Sequence, residues 1–214
     1  MVWMQKRLTC KVDLMLFRML MIRFLIWKVY YMSRKSRKNR NIKPTFFVFC
    51  EGDTEVAYVN YLRSKYRLPI VIDTKRAGHN ISINYIRKYK QQSGSHPKDR
   101  TYLIYDMDVV ENWNKIKTIK DVSILGSNPC FEFWFLLHFM NQKAFIECSS
   151  CVSKLSNYYK GYKKGHLEKG FIDKLESKRS KAIERAKALT FEENPSTNIY
   201  EFIEDLETEK SKVR

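Results

Sequence analysis

Five carboxylates in this chain fall where chemistry is done: Glu51, Glu55, Asp106, Asp108 and Glu132. Each comes just after a short apolar run or at the start of one. Acids gathered in one place repel each other, and a cation normally holds them together. Read without a His or Cys partner beside them, they favour a hard ion, Mg²⁺ or Mn²⁺. Two such ions can clamp a phosphodiester, one activating water and the other stabilising the leaving oxygen. That chemistry also needs basic groups to seat a nucleic-acid backbone.

The elements that must position these acids follow from the apolar pattern. Residues 45–50 (TFFVFC) form a continuous apolar, β-branched and aromatic run, which suits a buried strand. Residues 54–66 carry apolar side chains at 56, 59, 62 and 66, which is helical spacing. A second strand is expected over 68–75, a turn at Gly78-His79-Asn80 and a helix over 81–89 with Ile83 and Ile86 inward. The polar stretch 91–100 is a loop. Strands follow at 101–105 (TYLIY) and 122–125, with a helix over 109–119 between them. Gly126-Ser127-Asn128-Pro129 reads as a strand-to-helix turn, with Asn128 as N-cap and Pro129 in the first helical position. The helix 130–140 is apolar nearly all round and is expected to be buried.

Strands alternating with helices imply a mostly parallel sheet covered on both faces. Ligands of such sheets bind beyond the carboxyl ends of the strands. Glu51 ends the first strand, Asp106 and Asp108 the third, and Glu132 follows the turn after the fourth. Glu55 lies one helical turn from Glu51. Singly, Glu55 could serve the helix dipole and the two aspartates a turn. Acids after three separate strands argue jointly for one site.

The formal charge is +17, unevenly placed. Residues 1–43 hold twelve Lys/Arg against one acid, Asp13, whereas the remainder holds 28 basic and 22 acidic groups. Both parts suit phosphate-rich partners. Residues 14–27 are apolar but interrupted by Arg18 and Arg23, too short and too charged for a transmembrane segment. They read either as an extension ahead of a true start at Met32 or as a basic helix on a membrane surface. Cys10, Cys50, Cys130, Cys148 and Cys151 show no secretory disulfide pattern, so a cytoplasmic location is expected. Cys50 and Cys130 read as core residues. Cys148-Ser149-Ser150-Cys151 is a lone CxxC; zinc would need two further ligands, with His138 and His166 the histidines in range. His138 reads as a core histidine. Lys163 and Lys164, between Gly161 and Gly165, are candidate phosphate contacts on an otherwise ordinary basic loop.

Phe49-Cys50-Glu51-Gly52-Asp53-Thr54-Glu55, Tyr105-Asp106-Met107-Asp108, the block Ser127 to Phe139 and Asn194-Pro195-Ser196-Thr197 together resemble the motifs of RloB-like proteins, in the same order. The resemblance runs over 43–206 and implies a Toprim-like α/β fold. It divides the chain into a basic arm (1–43), a Toprim-like catalytic core (44–140) and a helical C-terminal appendage completing the domain (141–214). In the appendage, Lys-rich helices are expected near 149–160 and 170–190, and residues 194–197 are expected to cap a last helix over 199–206.

Carried over, the resemblance makes Glu51 the general acid/base or a metal ligand and Asp106 and Asp108 ligands of Mg²⁺ (or Mn²⁺). Glu55 and Glu132 become secondary ligands, and Gly52, Ser127 and Asn128 shape the site. It implies a nuclease acting on DNA or RNA, tRNA included, in anti-phage defence and abortive infection. An AAA/ABC-type ATPase encoded nearby would be the partner in trans, since the chain has no GxxxxGK[ST] motif. A homodimer is the oligomer considered. The alternative is a non-catalytic effector or nucleic-acid-binding subunit of an ATPase complex. No topoisomerase-type tyrosine is evident among the thirteen present, so hydrolysis is the simpler reaction.

Overall fold

The computed structural model describes residues 44–68, 71–94 and 96–212, with Met21 and Arg23 besides. The expectations for the basic arm lie outside the described residues, those two positions apart. The chain divides between Ile42 and Lys43, and the second unit, Lys43–Arg214, carries every element named below.

That unit runs β1 (Thr45–Cys50), α1 (Asp53–Tyr66), β2 (Val71–Arg76), a 3-10 turn (Gly78–Asn80), α2 (Ile83–Lys90), β3 (Arg100–Asp106) and α3 (Val110–Lys117). It continues with β4 (Ser123–Asn128), α4 (Glu132–Phe139), α5 (Cys148–Tyr158), α6 (Lys169–Lys187), β5 (Ser196–Thr197) and α7 (Tyr200–Ser211). The sheet order is β2-β1-β3-β4-β5. The first four strands are parallel and β5 is antiparallel to β4. The fold class is therefore the expected one: α/β, a mostly parallel sheet and a helical C-terminal region.

Alternation along the strands builds two cores. Phe46, Val48, Cys50, Tyr102, Ile104 and Leu125 face α1 and α4 to α7. Phe47, Phe49, Leu103 and Tyr105 face Ile86 of α2 and Trp113 and Ile116 of α3. A strand buried on both faces has to be apolar throughout, which is why β1 reads TFFVFC. Side chains of this size contribute about 1.5–3 kcal/mol each on full burial. Phe133 to Leu137 of α4 are completely buried, with α5 and α6 packed on the helix.

Gly126 in β4 is required by close approach. A Cβ there would stand 2.3 Å from Met107 Cε and 2.6 Å from Trp113 Cη2.

Two local expectations are corrected. Residues 126–128 are not a turn and Asn128 is not an N-cap: β4 runs through Asn128, and α4 starts only at Glu132. The cause is β5. Ser127 pairs with Thr197 and Asn128 with Ser196, so the strand continues where a partner from the far end of the sequence meets it. The Asn128 amide instead donates to the Glu192 carbonyl at 3.2 Å. By the same pairing, Ser196 and Thr197 form a strand rather than a helix cap. Asn198 locks it: its Oδ1 accepts from Gly126 N–H at 2.7 Å and its Nδ2 donates to the Ile124 carbonyl at 3.1 Å. Asn194 does likewise with both backbone groups of Ile146, at 3.0 Å each.

Candidate functional site

The carboxyl ends of β2, β1, β3 and β4 share one edge, and the candidate residues sit there. Glu51 is the first residue past β1, and its N–H still donates to the Ile104 carbonyl of β3 at 3.1 Å. Its Oε2 accepts from Asp106 N–H at 2.9 Å, and its Oε1 lies 3.0 Å from His79 Nδ1. Asp106 is the last residue of β3. Glu55 is buried in the first turn of α1. Gly52 leaves room for it, since a Cβ at 52 would stand 3.0 Å from Glu55 Oε2. Glu132 opens α4 and is also buried. These residues line a cleft of about 320 Å³ together with Arg76, His79, Thr54 and Lys164.

The acids are crowded enough to change one another's protonation. Burial pushes the Asp106 carboxyl up to about 9, with Glu55, Glu51, Glu132 and Asp108 adding repulsion. Burial likewise carries Glu55 to about 7, a backbone hydrogen bond opposing it and Glu132 and Glu51 reinforcing it. Glu51 is raised by burial and by Asp108, against the opposing pull of Asp106 N–H and His79. Asp106 Oδ1 is enclosed and has no hydrogen-bond partner. A buried carboxylate oxygen without a donor, near further carboxylates, is the kind of oxygen a hard divalent cation takes, and Glu51 and Glu55 could add to it; among the described residues, the donors that already converge within 4.8 Å are those of Cys130, Glu132 and Cys148. Asp108 is exposed and does not line the cleft, although it lies within electrostatic reach of both Glu51 and Asp106.

Glu132 has a different environment. Its Oε1 accepts from the Tyr162 hydroxyl at 3.0 Å and, at 3.5 Å, from Thr54 Oγ1, which itself accepts from Gly165 N–H at 2.9 Å. Its Oε2 lies 3.4 Å from Lys164 Nζ. The Cys130 and Cys148 thiols approach the same carboxylate, all three donor atoms lying within 4.8 Å of one another. This group is able to hold a metal ion. The acids are thus not free of His and Cys neighbours: His79 meets Glu51, and two thiols meet Glu132. The partners of the CxxC pair are Cys130 and Glu132, not His138 or His166. His138 is a core residue, its Nδ1 2.9 Å from the Trp134 carbonyl oxygen.

Lys164 enters the cleft, whereas Lys163 is exposed beside it and does not line it. Ser127 is buried opposite Asp106 in the sheet register, its hydroxyl 2.8 Å from Thr197 Oγ1. Asn128 lies outside the acidic lining. Arg76 and His79 are the site residues that the strand pattern did not single out, although Arg76 ends β2 at the same sheet edge and the edge rule alone could have found it. Tyr162 carries no local signal, and the CxxC that marks Cys148 does not tell which residues it meets; both arrive because the C-terminal region folds back over α4.

These features define a class: an α/β domain that gathers carboxylates, rimmed by basic groups, at the carboxyl edge of a parallel sheet. The chain belongs to the RloB-like family, whose model, described as RloB-like protein, matches residues 46–206. No curated protein and no solved structure matches the chain. Among the described residues, no helix is long and apolar enough to cross a membrane.

Proposed function

We propose that this protein is a divalent-metal-dependent nuclease, hydrolysing phosphodiesters of DNA or RNA, tRNA included. The observation that carries the reading is the enclosed, unpartnered Oδ1 of Asp106 amid Glu51, Glu55 and Glu132, with Arg76, His79 and Lys164 around the same cleft. Asp106, Glu51 and Glu55 would hold Mg²⁺ or Mn²⁺, with Asp108, exposed and outside the lining of the cleft, as a further ligand. The ion supplies Lewis acidity toward a phosphate oxygen. Arg76 and Lys164 seat the substrate backbone by charge. Glu51, raised by burial and with its Oε2 accepting from Asp106 N–H, would act as the general acid/base or, through its other oxygen, as a ligand of the ion. The resemblance to RloB-like proteins extends the proposal to anti-phage defence beside an AAA/ABC-type ATPase in the cytoplasm.

The test is direct. Full-length protein, with and without that ATPase, is mixed with plasmid and with total tRNA in Mg²⁺ or Mn²⁺. Cleavage that is abolished by chelator and by Glu51→Gln is expected. No cleavage in any combination that includes the ATPase would overturn the proposal.

A second reading is a non-catalytic effector subunit. It is favoured by one observation: His79 already pairs with Glu51 and Lys164 with Glu132, so side chains of the protein partly balance the acids. Unchanged biological output in an Asp106→Ala/Asp108→Ala double variant that still binds the ATPase would select it.

A further inference from the structure

We propose that Cys130, Glu132 and Cys148 form a second cation site, softer than the acidic one, that takes Zn²⁺. The three donors come from separate places: Cys130 from the turn after β4, Glu132 from the start of α4 and Cys148 from the first turn of α5. Their ligand atoms lie within 4.8 Å of one another. In a tetrahedral zinc site, with Zn–S near 2.3 Å and Zn–O near 2.1 Å, donors stand roughly 3.5–4 Å apart. A contraction of about an ångström completes the arrangement, and Cys148, only half-buried at a helix end, can supply it. Cys130 and Glu132 are both buried, so two donors are already removed from water.

Two neighbours support the assignment. Cys151, one helical turn past Cys148, is completely buried and keeps that end of the helix packed against the core. Lys164 holds its ammonium 3.4 Å from Glu132 Oε2 and 3.7 Å from Cys148 Sγ. A positive charge therefore already rests where two of the three donors converge. Lys164 is 55% exposed, so it can withdraw to solvent when a divalent ion takes the place. Two thiols and a carboxylate select a borderline-soft ion over Mg²⁺, which prefers oxygen ligands alone.

The site borders the cleft of the nuclease proposal and shares Glu132 and Lys164 with it, but it does not rest on that reading, and the experiment separates the two. Reduced full-length protein is titrated with Co²⁺ as a spectroscopic substitute and then with Zn²⁺. A thiolate-to-Co²⁺ charge-transfer band is expected, with one equivalent of Zn²⁺ bleaching it. Cys148→Ser, at a half-exposed position that tolerates the change, loses the band, whereas Cys50→Ser and Asp106→Asn keep it. Lys164→Met binds Zn²⁺ more tightly because the competing ammonium is gone. Mg²⁺-dependent stabilisation follows the opposite pattern, lost in Asp106→Asn and kept in Cys148→Ser. A reduced protein with no charge-transfer band, or a band unaffected by Cys148→Ser, overturns the thiolate site.

Discussion

The side chain of Glu51 accepts a hydrogen bond from the backbone N–H of Asp106, at 2.9 Å. The two acids lie 55 residues apart in sequence, and neighbouring parallel strands bring them together. The bond fixes one carboxylate of the site against the strand that carries the next. Geometry at this edge is set by the sheet rather than by loops, which is what a preorganised cation site requires.

Burial of Asp106, reinforced by the neighbouring acids, costs stability. Asp106 titrates near 9 in the folded protein against an ordinary 3.8. The folded state therefore binds more protons than the unfolded state in between, and stability falls as pH rises from about 4 to about 9. Asp106→Asn removes this term. At pH 7.5 in chelator the variant is expected to melt higher than wild type, by roughly 2–4 °C per kcal/mol regained. In Mg²⁺ the order reverses, because only wild type gains from the ion. Thermal melts over pH with and without Mg²⁺ read both halves; a variant less stable in chelator contradicts the account.

Gly52→Ala is expected to displace the Glu55 carboxylate, since the added methyl would stand 3.0 Å from Oε2. Gly52 has φ −123°, so the substitution brings no left-handed strain and the change is local. Metal-dependent activity should drop about tenfold or more, equivalent to about 1.4 kcal/mol in the transition state. The melting temperature should move by no more than about 2–3 °C. A full-activity variant would show that Glu55 has no part in the chemistry.

His138 gives the opposite pH dependence. Burial holds its imidazole down to about 3. The unfolded state, with an ordinary pKa near 6.5, binds the extra proton first, so stability contributed here is lost as pH falls below about 6.5. The limiting slope is about 1.4 kcal/mol per pH unit. Because Asp106 and Glu55 contribute with the reverse sign over part of this range, the difference between wild type and His138→Phe isolates the term. Urea unfolding from pH 4 to pH 8 should show a constant difference between the two above about pH 6.5, and below it wild type losing stability relative to His138→Phe by up to about 1.4 kcal/mol per pH unit.

Asn198→Ala tests the clasp between β5 and β4. The amide donates to Ile124 and accepts from Gly126, and Asn198 is buried. Truncation leaves two backbone groups of β4 without partners, at about 1–3 kcal/mol each. A loss of about 2–4 kcal/mol in urea-derived stability is expected, without any change in the number of metal ions bound. A loss below about 0.5 kcal/mol would mean that β4 holds its position without β5.

Much of the core of this fold was legible from spacing. The run 45–50 announced a central strand because burial on both faces demands unbroken apolarity, and residues 54–66 and 130–140 announced helices by their period or their length. At Asn128, local propensity and tertiary pairing disagree. An Asn-Pro pair ahead of an apolar run suits a helix start, and local propensity points that way. The pairing of Ser127 and Asn128 with Thr197 and Ser196 overrides it, and a two-residue antiparallel strand has no periodicity by which to be found.

The sequence by itself determined the order of strands and helices and the placing of Glu51, Asp106 and Glu132 at strand or helix ends, because side-chain period and chain connectivity are local properties. Only the tertiary structure decided the company those acids keep. Folding aims His79 at Glu51, leaves Asp106 Oδ1 enclosed without a donor and turns Lys164, Tyr162 and Cys148 onto Glu132. Those partners come from strands, turns and helices far apart in the chain. Burial and distance, which set charge and metal preference, exist only once the C-terminal helices have closed over α4.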